Sequence, residues 1–179
     1  MKTKTIELFE YSELSPESKE KAYKDWRENN FDEYYLQVEL DNRLDELLEE
    51  KGIVPISDIK GYPSKHAKLY YSLSHNQGDG LMFEGTFEWK GHTITVKQSG
   101  RYYHSHSKVI ESWDNAGEYV PNGHEEDYNK FDGIYHEICN ELEKVGYETI
   151  DDMQSEAFFI EECNSNELYF SKDGSLQEK

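Results

Sequence analysis

The sequence predicts an α+β fold: an antiparallel β-meander of about four strands packed against acidic helices from both ends of the chain, in one domain over residues 1–179. Three observations predict it. Apolar residues recur at helical spacing before residue 52 and after residue 124, and at period two between them. The separators between the period-two runs are short and rich in turn residues. Charge changes at the same borders: residues 1–52 hold 15 acids and 8 bases, residues 53–110 hold 4 and 7, and residues 111–167 hold 17 and 2, a net of −15.

Taken in order, "TIELFEYSEL" alternates like a short strand. "LSPESKEKAYKDWRENN" then starts a helix, with Ser15 as N-cap and Pro16 at the first helical position. Ala22 and Trp26, four apart, face its core. A second helix is expected from Asp32 to Lys51, carrying Leu40, Leu44, Leu47 and Leu48 and stopping at Gly52. Residues 53–66, punctuated by Pro55, Gly61 and Pro63, read as a short edge strand and a loop.

Four strand-like runs follow: "AKLYYSLSH", "GLMFEGTFEWK", "HTITVKQSG" and "RYYHSHSKVIES". Their separators, "NQGDG", "KG" and Ser99-Gly100, make neighbours antiparallel. A polar loop, "WDNAGEYVPNGHEED", leads to a third helix over Glu125–Val145, with Tyr128, Phe131, Tyr135, Ile138, Leu142 and Val145 as its apolar stripe and Gly146 as its stop. "DDMQSEAFFIEEC" reads as a fourth, shorter helix, and "ELYFSKDGSL" as a closing strand with a turn at Asp173-Gly174.

Totals bound the function. An apolar fraction of 35 % is low, but 14 Tyr, 8 Phe and 3 Trp indicate a folded, aromatic core. Two cysteines, Cys139 and Cys163, fall in apolar-periodic segments and read as buried free thiols rather than a disulfide framework. No apolar run approaches the ~20 residues of a membrane span, and the opening residues show no signal-peptide pattern, so a cytoplasmic setting is expected. A net charge of −19 repels nucleic acid and anionic membranes, so the acidity either serves solubility alone or faces a basic partner.

The knot "SHNQGDG" combines two glycines with Asp79-Gly80, a hairpin signal. No helix and no Gly-Lys-Ser or Gly-Lys-Thr follows, so it is not a phosphate loop. Five of the seven histidines, His66, His75, His92, His104 and His106, lie in the meander. His104 and His106, two apart in an expected strand, would share one face. With His75, Gln77, Asp79 and Arg101 they form a candidate site for a metal ion or a nucleotide, against the plainer reading of a solvated sheet face. No GxSxG, HExxH, Walker or paired CxxC pattern marks an enzyme, and no cofactor is implied.

"LYYSLSHNQGDGLMFEGTF" and "YYHSHS" resemble a motif of small proteins of tailed bacteriophages and prophages. "ELSPESKEKAYKDWRE" is similar to their opening helix, and "ECNSNELYFSKDGSL" to their tail. The family carries no assigned catalytic or binding residue. What the resemblance implies is a phage accessory protein acting inside a bacterial host, such as an anti-CRISPR or antirestriction inhibitor of a defence nuclease. Carboxylates displayed along helices can imitate phosphate rows. The first expectation is therefore a non-enzymatic protein that occupies a basic nucleic-acid groove of a host protein. Glu125, Glu126, Asp127, Asp132, Glu137, Glu141, Asp151 and Asp152 would supply the charge. The metal- or nucleotide-binding sheet is the alternative, and a homodimer through tyrosine-rich strand edges is a third reading.

Overall fold

In the computed structural model, residues 7–56, 67–113 and 125–177 are described. Residues 57–66, His66 among them, and residues 114–124 fall outside them. The α+β class stands: among the described residues, four α-helices accompany an antiparallel sheet of five strands and a second sheet of two. The chain gathers into two compact units.

The larger unit, Leu36–Tyr147, holds the meander. β2 (Lys68–Ser72), β3 (Gly80–Trp89), β4 (His92–Gln98) and β5 (Lys108–Trp113) pair antiparallel in succession. β1 (Val54–Ile56) adds beside the far half of β3, with Val54 opposite Glu88. β3 thus has strand neighbours on both sides over Thr86–Glu88, and β2 alone over Gly80–Glu84; Leu81, Met82, Phe83 and Phe87 are almost fully buried. Lys90 (φ 50°) and Gly91 (φ 81°) make the two-residue turn to β4, left-handed at both positions as such hairpins require.

Most of α2 (Glu33–Glu50) and α3 (Glu125–Met153) belongs to this unit. The leucine stripe of α2 is buried as its spacing predicts. From α3, Phe131 packs on Trp89 at 5.6 Å and Tyr135 on Phe83 at 4.4 Å between ring centroids. The Tyr135 hydroxyl accepts the Phe83 N–H (3.1 Å) and donates to the Phe83 carbonyl (3.0 Å). Phe83 lies two residues beyond the last β3–β4 pair, Gly85 with Val96, so a helix side chain takes the bonds that a strand would otherwise make.

Two boundaries differ from expectation here. Gly146 does not stop α3, which runs on to Met153. A Cβ at Gly146 would collide with the Leu73 side chain, so this glycine allows close packing against the helix. "RYYHSHSKVIES" is strand only from Lys108. Gly100 adopts φ 121°, Ser99 N–H bonds Ser107 O (2.9 Å) and Ser107 N–H bonds His104 O (2.7 Å), which closes residues 100–107 into a loop.

The smaller unit joins residues 1–35 with residues 148–179. Ser15 caps α1 (Pro16–Asn29) by accepting Ser18 N–H at 3.2 Å, with Pro16 at the first position as read. Among the described residues of the expected opening strand there is one bridge, Phe9 with Phe170, followed by a 3-10 turn at Tyr11–Glu13. α4 (Glu156–Ser165) begins at Ser155, whose hydroxyl accepts Phe158 N–H (3.1 Å); Asp151 and Asp152 belong to the end of α3. β6 (Tyr169–Phe170) and β7 (Leu176–Gln177) form the closing hairpin around Asp173-Gly174. Tyr11, Trp26, Phe159 and Phe170 make the aromatic core, with Phe159 4.9 Å from both Tyr11 and Trp26.

Candidate functional site

The residues of the "SHNQGDG" knot do form the β2–β3 connection, and Asp79 organises it. Its carboxylate accepts from Ser74 N–H (2.6 Å), Asn76 N–H (2.9 Å), and the hydroxyls of Ser74 (3.0 Å), Ser72 (3.2 Å) and Tyr147 (3.0 Å). Desolvation pushes the Asp79 carboxyl up, but the amides of Asn76 and Ser74 and the hydroxyls of Ser74 and Tyr147 together hold it well below the usual carboxylate range. His75, left-handed at φ 58°, lays its ring 4.5 Å from Tyr147. The carboxylate expected to face a ligand is thus spent on its own turn.

The histidine pair separates. A strand would have put His104 and His106 on one face; the 100–107 loop sends them to different neighbours. His104 covers Gly80, where a Cβ would strike its ring and the Tyr103 carbonyl. The His106 ring sits 4.3 Å from that of His136 on α3. Arg101 lies over the Tyr102 ring at 5.9 Å, and Gln77 is exposed at the turn. Among the described residues no group of three or more His, Cys, Asp or Glu is placed to hold a metal ion.

A polar cluster missed in the sequence surrounds Lys108, whose side chain is 6 % exposed. Its ammonium meets Asp132 Oδ1 (2.8 Å), the Ser105 carbonyl (2.7 Å) and His136 Nε2 (3.1 Å), and lies 4.7 Å from the Tyr135 ring centroid. A buried cation needs such partners. Burial and the Lys108 charge lower the His136 pKa against the opposing pull of Asp132. These contacts are complete within the protein. The two thiols are equally inert: burial raises Cys139 to about 12 and Cys163 to about 11, far from an activated nucleophile.

The eight expected carboxylates fare unequally. Glu125 opens α3. Glu126 pairs with Lys130 (2.6 Å), Asp127 with His92 (3.7 Å), Asp132 with Lys108, Glu137 with Lys51 (2.8 Å) and Glu141 with Arg43 (3.7 Å). Much of the charge on this part of α3 is answered inside its own unit. Asp151 and Asp152 are exposed and meet no cation among the described residues. They open a stretch, 151–167, with six carboxylates and no Lys, Arg or His.

Beside that stretch, within the smaller unit, lies a cavity of about 710 Å³. Trp26, Phe31, Tyr35 and Phe158 supply aromatic walls, and Met153 contributes a flexible apolar side chain. Asp32, Glu161 and Glu162 supply carboxylates, and among the described residues no Lys or Arg lines it. Trp26 is 9 % exposed; its Nε1–H is sealed from solvent and meets no acceptor among the described residues. Phe31 is 50 % exposed and Tyr35 42 % exposed. The sequence signal was present in "NNFDEYY", a run of aromatics in a polar setting, but helical spacing alone assigned Trp26 only to the core.

Compared with known protein families, curated proteins and solved structures, the chain matches none. Among the described residues no helix is long and apolar enough to cross a membrane.

Proposed function

We propose that this protein is an acidic, non-enzymatic interaction protein that occupies a basic nucleic-acid-binding surface of a host protein. In its fuller form the proposal is a phage-encoded inhibitor of a defence nuclease, of the anti-CRISPR or antirestriction kind, as the motif resemblance suggests. The observation that carries it is the one-sided charge of residues 151–167: six carboxylates and no Lys, Arg or His, with Asp151, Asp152 and Glu161 exposed among them. Solubility needs less than this, and such a surface attracts a basic groove from a distance and loses that attraction in salt.

The pairing of Glu137 and Glu141 with Lys51 and Arg43 moves the expected contact from the middle of α3 toward its end and α4. The test measures DNA cleavage by a panel of purified restriction and CRISPR nucleases with added protein at low and high salt. The protein inhibits at least one nuclease, high salt relieves the inhibition, and Asp151→Asn/Asp152→Asn weakens it more than Glu137→Gln/Glu141→Gln does. Full inhibition by the Asp151→Asn/Asp152→Asn variant, or no inhibition across the panel, sinks the reading.

A further inference from the structure

We infer that the cavity of the smaller unit is a binding site for an arginine side chain carried on a basic segment of a partner protein. The inference rests on the proposal that the partner is basic, and names where one of its side chains is held.

Size, walls and charge converge on this occupant. About 710 Å³ lies within the range of clefts that hold small ligands or a few residues of peptide. The walls are a row of rings: Trp26 and Phe158 stand 6.2 Å apart between centroids, and Phe158 and Tyr35 stand 6.3 Å apart. Ring faces attract cations, and a planar guanidinium can lie flat on them. Half-exposed Phe31 extends that apolar surface to the rim.

The carboxylates have bonding capacity left. Asp32 spends Oδ1 on the Tyr35 N–H (3.0 Å) at the start of α2, and Glu162 spends Oε2 on Asn166 Nδ2 (2.9 Å). Each keeps a second oxygen, and Glu161 is exposed. An anionic ligand would meet three like charges and no base. A neutral apolar ligand would strip water from those carboxylates without replacing it. A lysine would satisfy the charge, but a guanidinium also stacks on flat rings and carries enough donors to bond two carboxylates at once.

The test titrates the full chain, followed by NMR, with acetyl-Ala-Arg-Leu-Ala-amide and with its citrulline analogue, which keeps the shape and removes the charge. The arginine peptide shifts the Trp26 indole signal and amides of residues 30–35 and 158–165. The citrulline peptide binds at least about tenfold more weakly. Glu161→Gln/Glu162→Gln and, separately, Phe31→Ala each weaken the arginine peptide about fivefold or more, while Asp151→Asn/Asp152→Asn leaves it within about twofold. Equal binding of the two peptides, no saturable shift at millimolar peptide, or unchanged binding by both cavity variants overturns the inference. Nuclease inhibition that survives the cavity variants but not Asp151→Asn/Asp152→Asn overturns this site and leaves the acidic-surface reading standing.

Discussion

Asp79 binds its turn through a charge, and that charge has a pH signature. Its carboxyl is held below the ordinary range by hydrogen bonds that favour the ionised form, so the folded state releases this proton more readily than the unfolded chain does. The stabilisation is complete above the unfolded value near 3.9 and fades as pH falls below it toward the depressed folded value. Asp79→Asn therefore lowers the urea midpoint at pH 7, and its deficit relative to the parent shrinks below about pH 4; a pH-independent deficit would show that the loss is steric. Asp79-Gly80 was legible as a turn because short local rules govern turns. The Tyr147 hydroxyl, 68 residues away in sequence, was not, because only the folded chain delivers it. Gly80 likewise looked like a turn residue and also makes room for the His104 ring.

At the scale of elements, β3 depends on a side chain from another element. Tyr135 is fully buried and serves both the N–H and the C=O of Phe83. Tyr135→Phe keeps the ring and removes the hydroxyl, leaving two buried backbone groups unsatisfied. A loss of about 2–4 kcal/mol follows, read from denaturant midpoints; a loss below about 1 kcal/mol would mean that water replaces the hydroxyl. The Ser15 cap of α1, the helical periodicity of α1 and α2, and the strand runs of β2, β3 and β4 with their turns were readable because local sequence encodes them. The ends of α3 and β5 were not. Gly146 carries the usual helix-stop residue, but Leu73 uses the space that its missing side chain leaves. "YYHSHS" alternates like a strand, yet Tyr103 stacks on Tyr70 at 5.5 Å and Gly100 bends the chain, so tertiary packing outweighs the pattern.

For the molecule as a whole, the net charge of −19 sets self-repulsion against local ion pairs. The pairs are mostly exposed, as with Glu126 and Lys130 at 84 % and 50 %, and pairs of that kind contribute below about 1 kcal/mol each. Repulsion is the larger effect, and salt screens it. Raising sodium chloride from about 0.05 to 0.5 M lifts the thermal midpoint by about 2–5 °C; a fall would put the ion pairs in charge. The candidate cavity was the least legible feature, since Trp26 and Phe158 meet only because residues 1–35 and 148–179 form one unit. That discontinuity also orders events on the ribosome. The Phe9–Phe170 bridge and the Ser18 bond to the Lys172 carbonyl wait for Phe170 and Lys172 to emerge. At about 5–20 residues per second, α1 spends on the order of ten seconds without its partners while Leu36–Tyr147 is synthesised and can fold ahead of it.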